Sequence, residues 1–173
     1  GLATQAIAAF DIALWDLKAR RAKLPLAKLL GAHRDSVQCY NTSGGYLSSP
    51  LPEVLERVDA SLERGIGGIK IKVGQPDPMP DLARVQAVHK LIDGRVSLMI
   101  DANQIWDVAQ AIEWVTELAP YKPLWIEEPT SPDDVLGHAA IRKAVKPLGI
   151  GVATGEMCQN RVIFKQLMQA EAI

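Results

Sequence analysis

The chain has 173 residues, of which 48% are hydrophobic and 23% charged, and its formal net charge is −1. This hydrophobic share is enough for a packed core, and the near-neutral charge gives no reason to expect binding to nucleic acid or to a membrane surface. The two cysteines, Cys39 and Cys158, have no metal-like spacing and argue against a disulfide scaffold. No apolar run reaches transmembrane length and no signal peptide is recognisable, so we expect a cytoplasmic protein.

The chain begins with a helical segment. Apolar residues recur at helical spacing over residues 4–22, which predicts a helix there. Pro25 then starts a short second helical piece, Leu26 to Leu30, which Gly31 would cap.

From residue 37 onward, strand and helix patterns alternate. The predicted strands cover residues 37–42, 67–73, 96–101, 123–127 and 149–153. The predicted helices cover residues 52–64, 81–92, 107–118, 134–145 and 160–170. Ser43-Gly44-Gly45 breaks the chain after the first strand. The strands are nearly continuous apolar runs, which is typical of parallel sheets covered on both faces.

Two parallel α/β architectures fit this alternation, a doubly wound open sheet and a (β/α)8 barrel. The first predicted strand is followed by no Gly-x-Gly-x-x-Gly sequence, and the chain has no phosphate-binding Walker loop. The barrel is therefore favoured. About five βα units are present, and Ile173 ends the chain where a sixth strand would begin. We therefore predict a partial barrel.

Charged residues stand at the ends of four successive hydrophobic runs. Lys72, Asp101, Glu127 and Glu156 are separated by 29, 26 and 29 residues, a step that suits one βα unit. The carboxyl ends of parallel strands meet at one rim, which is where α/β proteins place their functional residues. We therefore expect these side chains to converge.

Lys70 and Lys72 are two residues apart on one strand and so share a face. A lysine held beside charged neighbours in such a site can act as a base. The alternative is that both lysines simply extend to solvent from the end of the strand.

Three carboxylates at neighbouring strand ends repel one another and need a cation. Because Asp101, Glu127 and Glu156 offer only oxygen ligands, they point to Mg²⁺, with Mn²⁺ as a second choice. Asn103 and Glu128 lie beside these acids in sequence and are predicted to face the substrate or to support the ligands. For any single acid, the alternative is a helix cap or a solvated loop end.

The histidines are not expected to take part in this site. His33, His89 and His138 all lie away from the predicted strand ends and are interpreted as surface or packing residues. Trp106 follows the loop after Asp101 and is a candidate to line the mouth of the site.

Four strand-end motifs together resemble the mandelate racemase subgroup of the enolase superfamily. They are Lys70-Ile-Lys72-Val-Gly, Asp101-Ala-Asn-Gln, Trp125-Ile-Glu-Glu-Pro-Thr and Ala153-Thr-Gly-Glu156. The preface Ala13-Leu-Trp-Asp-Leu-Lys resembles the end of the capping domain of that family. The resemblance implies a domain tail and connector at residues 1–36 and the first five βα units of a barrel at residues 37–173.

Two subfamilies share this resemblance along the chain. Residues 1 to about 75 look most like galactarate/L-talarate dehydratases, and residues from about 98 to 173 look most like L-fuconate dehydratases. Both subfamilies dehydrate sugar acids by the same chemistry, so the resemblance implies a sugar-acid substrate without choosing one.

By this resemblance, Asp101, Glu127 and Glu156 are Mg²⁺ ligands, Lys72 removes the proton α to a carboxylate to give an enediolate, and Lys70 neutralises that carboxylate. The implied activity is that of a Mg²⁺-dependent hydro-lyase in carbohydrate catabolism. A racemase or epimerase of the same family is the rival within the class. Family members also carry an Asp and a His on later strands, which this chain does not reach. The different-class alternative is a non-catalytic half-barrel that forms a homo-oligomer or pairs with a complementary half.

Overall fold

The computed structural model describes residues 1–42 and 45–173. The predicted break at Ser43-Gly44 lies outside the described residues. The chain divides into two compact units, Gly1–Gln38 and Cys39–Ile173. Within the described residues, no helix combines the length and the apolar character needed to cross a membrane.

The first unit contains a long helix and a short one. Helix α1 spans Leu2–Ala22 and is capped by Lys23, whose backbone is left-handed (φ 54°). Helix α2 spans Leu26–Leu29, close to the prediction. Only Ala19 of α1 is buried, so the apolar residues of this helix remain largely exposed.

The second unit alternates helices and strands. Its helices are α3 (Leu51–Glu63), α4 (Met79–Ile92), α5 (Val108–Leu118), α6 (Val135–Val145) and α7 (Arg161–Gln169). Its strands are β1 (Gly68–Lys72), β2 (Ser97–Asp101), β3 (Trp125–Glu127) and β4 (Gly151–Ala153). Short 3-10 turns at Ala119–Tyr121 and Lys146–Leu148, which the sequence patterns did not predict, follow α5 and α6.

The four strands form one parallel sheet in the order β1-β2-β3-β4. A doubly wound sheet reverses its strand order at a switch point, and this order has no reversal, so it agrees with a barrel segment. Alternate strand residues such as Ile71, Ile100 and Ile126 are buried in the main hydrophobic core, together with Val85 and Val115 of the helices. The opposite face of the sheet carries the charged residues.

The predicted first strand at residues 37–42 is wrong in its extent. Only Asn41 pairs with the sheet, through a single parallel bridge to Ile69. In that bridge the Asn41 N–H donates to the Gly68 carbonyl and the Asn41 carbonyl accepts from the Lys70 N–H, both at 2.9 Å. Val37 is 78% exposed, so its β-propensity has no packing partner to act on.

Candidate active site

The charged strand-end residues lie in register across the sheet. Lys72 of β1 is paired with Asp101 of β2, and Asp101 is paired with Glu127 of β3. Lys70 lies one pleat earlier on the same face as Lys72. Three neighbouring strands therefore place two cations and two carboxylates at one rim.

These four side chains form a compact ion-pair network. The Lys70 ammonium lies 3.1 Å from Asp101 Oδ2 and 2.7 Å from Glu127 Oε1, and Lys72 Nζ lies 2.6 Å from Asp101 Oδ2. Side-chain exposure is 0% for Asp101, 8% for Lys70 and 26% for Lys72. The network is thus shielded around Asp101 and open toward Lys72.

The environment of Lys70 keeps its ammonium charged. Burial by itself would lower the pKa of Lys70, but the hydrogen bonds and charges of Glu127 and Asp101 outweigh burial, and its pKa is raised. Lys70 is therefore suited to neutralise negative charge rather than to accept a proton.

Each carboxylate also accepts a hydrogen bond from a neutral donor. The backbone N–H of Asn103 donates to Asp101 Oδ1 at 3.0 Å, and the indole Nε1–H of Trp125 donates to Glu127 Oε2 at 3.1 Å. The neutral donors and the lysines bind different oxygens of each carboxylate. The sequence interpretation missed Trp125, although its position two residues before Glu127 on a strand could have signalled it.

The loops after β2 and β3 are linked through left-handed residues. Asn103, Gln104 and Glu128 have φ values of 45°, 70° and 43°, a region that non-glycine residues seldom adopt. The Gln104 N–H donates to the Glu128 carbonyl at 2.7 Å, and its side-chain amide donates to Glu128 Oε2 at 2.9 Å. Asn103 is exposed at the rim, whereas Glu128 is fully buried.

Glu156 lies after β4 and is exposed. Its pKa is raised by partial desolvation and then by the charges of Glu128 and Asp101, with a smaller effect from Glu127, while Lys72 opposes the shift. The side chain as a whole stays accessible to solvent. The repulsion nevertheless shows that Glu156 lies within electrostatic range of the other acids.

The donor chemistry of this rim suits a hard divalent cation, since all the candidate ligands are carboxylate oxygens. Over residues 1–42 and 45–173, however, no three His, Cys, Asp or Glu side chains are already grouped in a metal-binding arrangement. The lysines hold Asp101 Oδ2 and Glu127 Oε1 instead. A cation would have to displace them and draw in Glu156.

Helix α4 binds two segments beside β1, the loop at residues 74–75 and the segment at residues 46–49. The sequence interpretation did not predict these contacts. Asp81 is buried and accepts from the N–H groups of Gly74 and Gln75 at 2.6 and 2.8 Å. Arg84 donates to backbone carbonyls of the segment at residues 46–49. No local sequence signal marks these contacts because the partners of Arg84 are 35 to 38 residues away.

Gly45 lets this segment lie directly on β1. Its carbonyl accepts from the Lys72 N–H at 2.7 Å. A Cβ at this position would lie 2.8 Å from both Ile71 Cα and the Lys70 carbonyl oxygen, and these backbone atoms cannot easily yield. A glycine is therefore required where the segment approaches the lysine-bearing strand.

The remaining candidates lie outside the ion-pair network. His138 is fully buried in α6 with its Nδ1 2.9 Å from the Asp134 carbonyl, which fits the predicted packing role. Trp106 is only 8% exposed and belongs to the hydrophobic core, so lining the mouth is at most a minor role for it. Cys39 and Cys158 are free thiols.

Comparison with known proteins places this chain in a family. A family model described as "Enolase C-terminal domain-like" matches residues 53–173. A second model, "Mandelate racemase / muconate lactonizing enzyme, N-terminal domain", matches residues 2–31. Together the two matches cover parts of both compact units.

Sequence similarity to two curated relatives extends over nearly the whole chain. It is 52% identical over 172 residues to the L-talarate/galactarate dehydratase of Salmonella typhimurium, covering 99% of this chain and 42% of that protein. It is 41% identical over 174 residues to the 3,6-anhydro-alpha-L-galactonate cycloisomerase of Streptomyces coelicolor, covering 100% of this chain and 47% of the relative. The chain thus spans less than half the length of these relatives.

A solved structure shows the same relation. The crystal structure of L-talarate dehydratase from Polaromonas sp. JS666, complexed with Mg and L-glucarate, superposes with a TM-score of 0.88 at 52% identity. The match covers 99% of this chain and 45% of that chain. The chain therefore belongs to the enolase superfamily, with its N-terminal and C-terminal parts both matching the mandelate racemase/muconate lactonizing enzyme group.

Proposed function

We propose that the chain carries the metal-binding and proton-abstracting part of a Mg²⁺-dependent sugar-acid dehydratase. The observation that carries this proposal is the in-register row of Lys72, Asp101 and Glu127, with Lys70 bridging the two acids. The names of the relatives support it, because the Salmonella protein is a dehydratase and the Polaromonas structure contains Mg and L-glucarate.

Asp101, Glu127 and Glu156 are the residues that would hold the Mg²⁺. Their charges already act on one another, as the raised pKa of Glu156 indicates. When bound, the metal would supply positive charge that stabilises negative charge developing on the substrate carboxylate. Lys70, which stays an ammonium, would add a second positive charge beside the same carboxylate.

Lys72 is the better candidate for the base. The Nζ of Lys72 contacts one carboxylate, whereas that of Lys70 contacts two. The Lys72 side chain is 26% exposed and the Lys70 side chain 8% exposed. In its neutral form, Lys72 Nζ would accept the proton from the carbon α to the substrate carboxylate. The C–O bond at the β carbon would then break, and the hydroxide that leaves would take up a proton from solvent to become water. The resulting enol would gain a proton at the β carbon as it loses its hydroxyl proton, which gives the 2-keto-3-deoxy product.

Asn103 is the stronger of the two candidates for substrate contact. It is exposed at the rim, and its backbone N–H already binds Asp101. Glu128 is fully buried and its Oε2 accepts from Gln104, which suits a supporting role under the loops.

The rival activity is an isomerisation in which the proton returns to the substrate and no water is lost. The cycloisomerase named among the relatives favours this rival, because proton abstraction at the same rim can serve both outcomes. A purely structural role, in which the chain associates with itself or with a complementary half, is the remaining alternative.

The test is solvent exchange of the substrate α-proton. The chain would be incubated with Mg²⁺ and galactarate or L-fuconate in D₂O, and the α-proton signal followed by NMR. We expect exchange in the wild type and in Lys90→Ala, a control at an exposed lysine of α4, and no exchange in Lys72→Ala. A 2-keto-3-deoxy product would establish dehydration, and an isomer of the substrate would establish the rival.

Two results would contradict the proposal. Exchange that persists at full rate in Lys72→Ala would show that Lys72 is not the base. Absence of exchange in a wild-type chain that binds Mg²⁺ would show that this part of the rim does not abstract the proton by itself. Sedimentation of the same samples would show whether active material is monomeric or associated.

A further inference from the structure

The two carboxylates at the centre of the rim divide their oxygens in the same way. Asp101 Oδ1 and Glu127 Oε2 each accept from a neutral N–H, at 3.0 and 3.1 Å. Asp101 Oδ2 and Glu127 Oε1 both contact the Lys70 ammonium, at 3.1 and 2.7 Å. One oxygen of each acid is thus fixed, and the other is directed toward a shared cation.

The neutral donor to Glu127 is a side chain held in place from two directions. Trp125 precedes Glu127 by two residues on β3, so both side chains project from the same face of the sheet. The Tyr40 ring packs edge-on against Trp125, with centroids 5.4 Å apart and an interplanar angle of 77°. The centroid of the Tyr40 ring in turn lies 5.6 Å from Lys70 Nζ. Trp125, Tyr40, Lys70 and Glu127 thus form a closed ring of contacts, in which each side chain contacts two others.

A neutral donor has a property that a lysine lacks. When a divalent cation enters beside Glu127, an ammonium at the same carboxylate is repelled, whereas an indole N–H carries no net charge and can stay bonded. Terminal carboxylate torsions are broad, so a carboxylate without such a bond must be ordered when the cation binds. Groups that orient metal ligands from behind in this way strongly affect metal affinity.

We propose that Trp125 is a positioning residue whose indole N–H fixes the Glu127 carboxylate so that Oε1 faces a divalent cation at the rim. This inference rests on the metal site of the proposed function. It assigns to the indole a role that is separate from filling space, because a phenylalanine ring would occupy part of the same place without donating a hydrogen bond.

The test is the Mg²⁺ affinity of the 173-residue chain, measured by calorimetry for wild type, Trp125→Phe and Trp114→Phe. Trp114 is a half-buried tryptophan of α5 that packs against the core, so it controls for the loss of an indole as such. We expect Trp125→Phe to bind Mg²⁺ about 10-fold more weakly, and Trp114→Phe to bind as wild type. The urea midpoints without Mg²⁺ would show that both variants are folded.

A second readout needs no folded variant. In the ¹⁵N-labelled wild-type chain, the Trp125 indole N–H signal should shift on addition of Mg²⁺, while the Trp114 signal stays in place. A stationary Trp125 signal in a chain that binds Mg²⁺ would overturn the inference.

The outcomes separate this inference from the proposed function. A wild-type chain that binds no Mg²⁺ contradicts the metal site, and the positioning role fails with it. A wild-type chain that binds Mg²⁺, with Trp125→Phe binding equally well, contradicts only the role of Trp125 and leaves the metal site standing.

Discussion

Asp101 holds the rim together at the scale of single residues. It is fully buried and accepts from Lys70, Lys72 and the Asn103 N–H. A buried ion pair gains little net stability, but removing one partner leaves the other buried without compensation. The two ammonium groups would then repel each other, with only Glu127 left to offset Lys70.

We therefore expect Asp101→Asn to lower the free energy of unfolding by about 3 kcal/mol. The measurement is urea denaturation of the metal-free chain. Glu53→Gln is the matched control, because it removes the acid of the exposed Arg57–Glu53 pair on α3, which should cost less than about 1 kcal/mol. Equal losses in the two variants would show that Asp101 is not the anchor of the network.

The pH dependence of the reactivity of the Cys158 thiol reports on charge at the rim. Burial first, and then the charge of Glu128, raise the pKa of Cys158. Because the thiolate is the reactive form, a raised pKa reduces reactivity at a given pH, and the deficit shrinks as pH rises through that pKa. We expect iodoacetamide to modify Cys158 several-fold more slowly than the exposed Cys39 near pH 8, by peptide mass spectrometry.

The same experiment has an internal check. Glu128→Gln removes the charge and should speed modification of Cys158 while the rate at Cys39 is unchanged. Equal rates for the two cysteines at every pH would contradict the placement of Cys158 beside a buried carboxylate.

The sequence predicted that Lys70, Lys72, Asp101 and Glu127 gather at the rim, where ion pairs join them. It also predicted Glu156 in this group, but Glu156 is exposed and forms none of these ion pairs. How the group is held was not predicted. Strand-end position and side-chain alternation are local properties, so Lys70, Lys72, Asp101 and Glu127 could be placed on one face from the sequence. The burial of Glu128 depends on a left-handed turn packed against another loop, and nothing in its own neighbourhood indicates that.

At the scale of elements, helix α4 organises both segments that flank β1. Arg84 donates to the carbonyls of Tyr46, Leu47 and Ser49 at 2.7, 3.0 and 2.9 Å, and is only 5% exposed. The planar guanidinium can bind three carbonyls that diverge, and a lysine ammonium cannot reproduce that fork. The segment that covers Lys72 through Gly45 therefore depends on one arginine.

We expect Arg84→Lys to lower the free energy of unfolding by about 2 kcal/mol, because a buried side chain loses its fork of hydrogen bonds to three backbone carbonyls. Cleavage by protease within residues 46–49 should also become faster. Arg95→Lys is the control, since Arg95 donates to the carbonyls of Ile92 and Leu91 from an exposed position and should change stability by about 0.5 kcal/mol or less. Unchanged proteolysis in Arg84→Lys would show that other contacts hold the segment.

From residue 37 onward, element prediction succeeded where the chain buries a face and failed where it does not. Helices α3 to α7 and strands β1 to β4 lie within about two residues of their predicted bounds, because each has an apolar pattern that the core confirms. The segment at residues 37–42 has β-forming residues and no such burial, and it contributes only the bridge at Asn41. Propensity without a packing partner was insufficient there.

At the scale of the whole molecule, the two units differ in how they are stabilised. The second unit contains the hydrophobic core between its sheet and its helices. In the first unit, α1 is 21 residues long and buries only Ala19. The exposed large apolar residues of this helix are Leu2, Ile7, Phe10, Ile12, Leu14, Trp15 and Leu17. A helix without tertiary packing is only marginally stable in water, and a large apolar surface favours association.

Hydrogen exchange of the native chain tests both whether α1 is marginally stable and whether its apolar surface mediates association. At low protein concentration, the amides of α1 should exchange by local fraying, while those of β1 exchange only on global unfolding. The β1 amides of Lys70 and Lys72 donate to the Asn41 and Gly45 carbonyls of the segment beside β1, which makes them suitable references. If the apolar residues of α1 mediate self-association, its protection should rise with protein concentration, and Phe10→Ser should suppress the rise. Protection of α1 equal to that of β1 at every concentration would show that the helix is packed within the monomer.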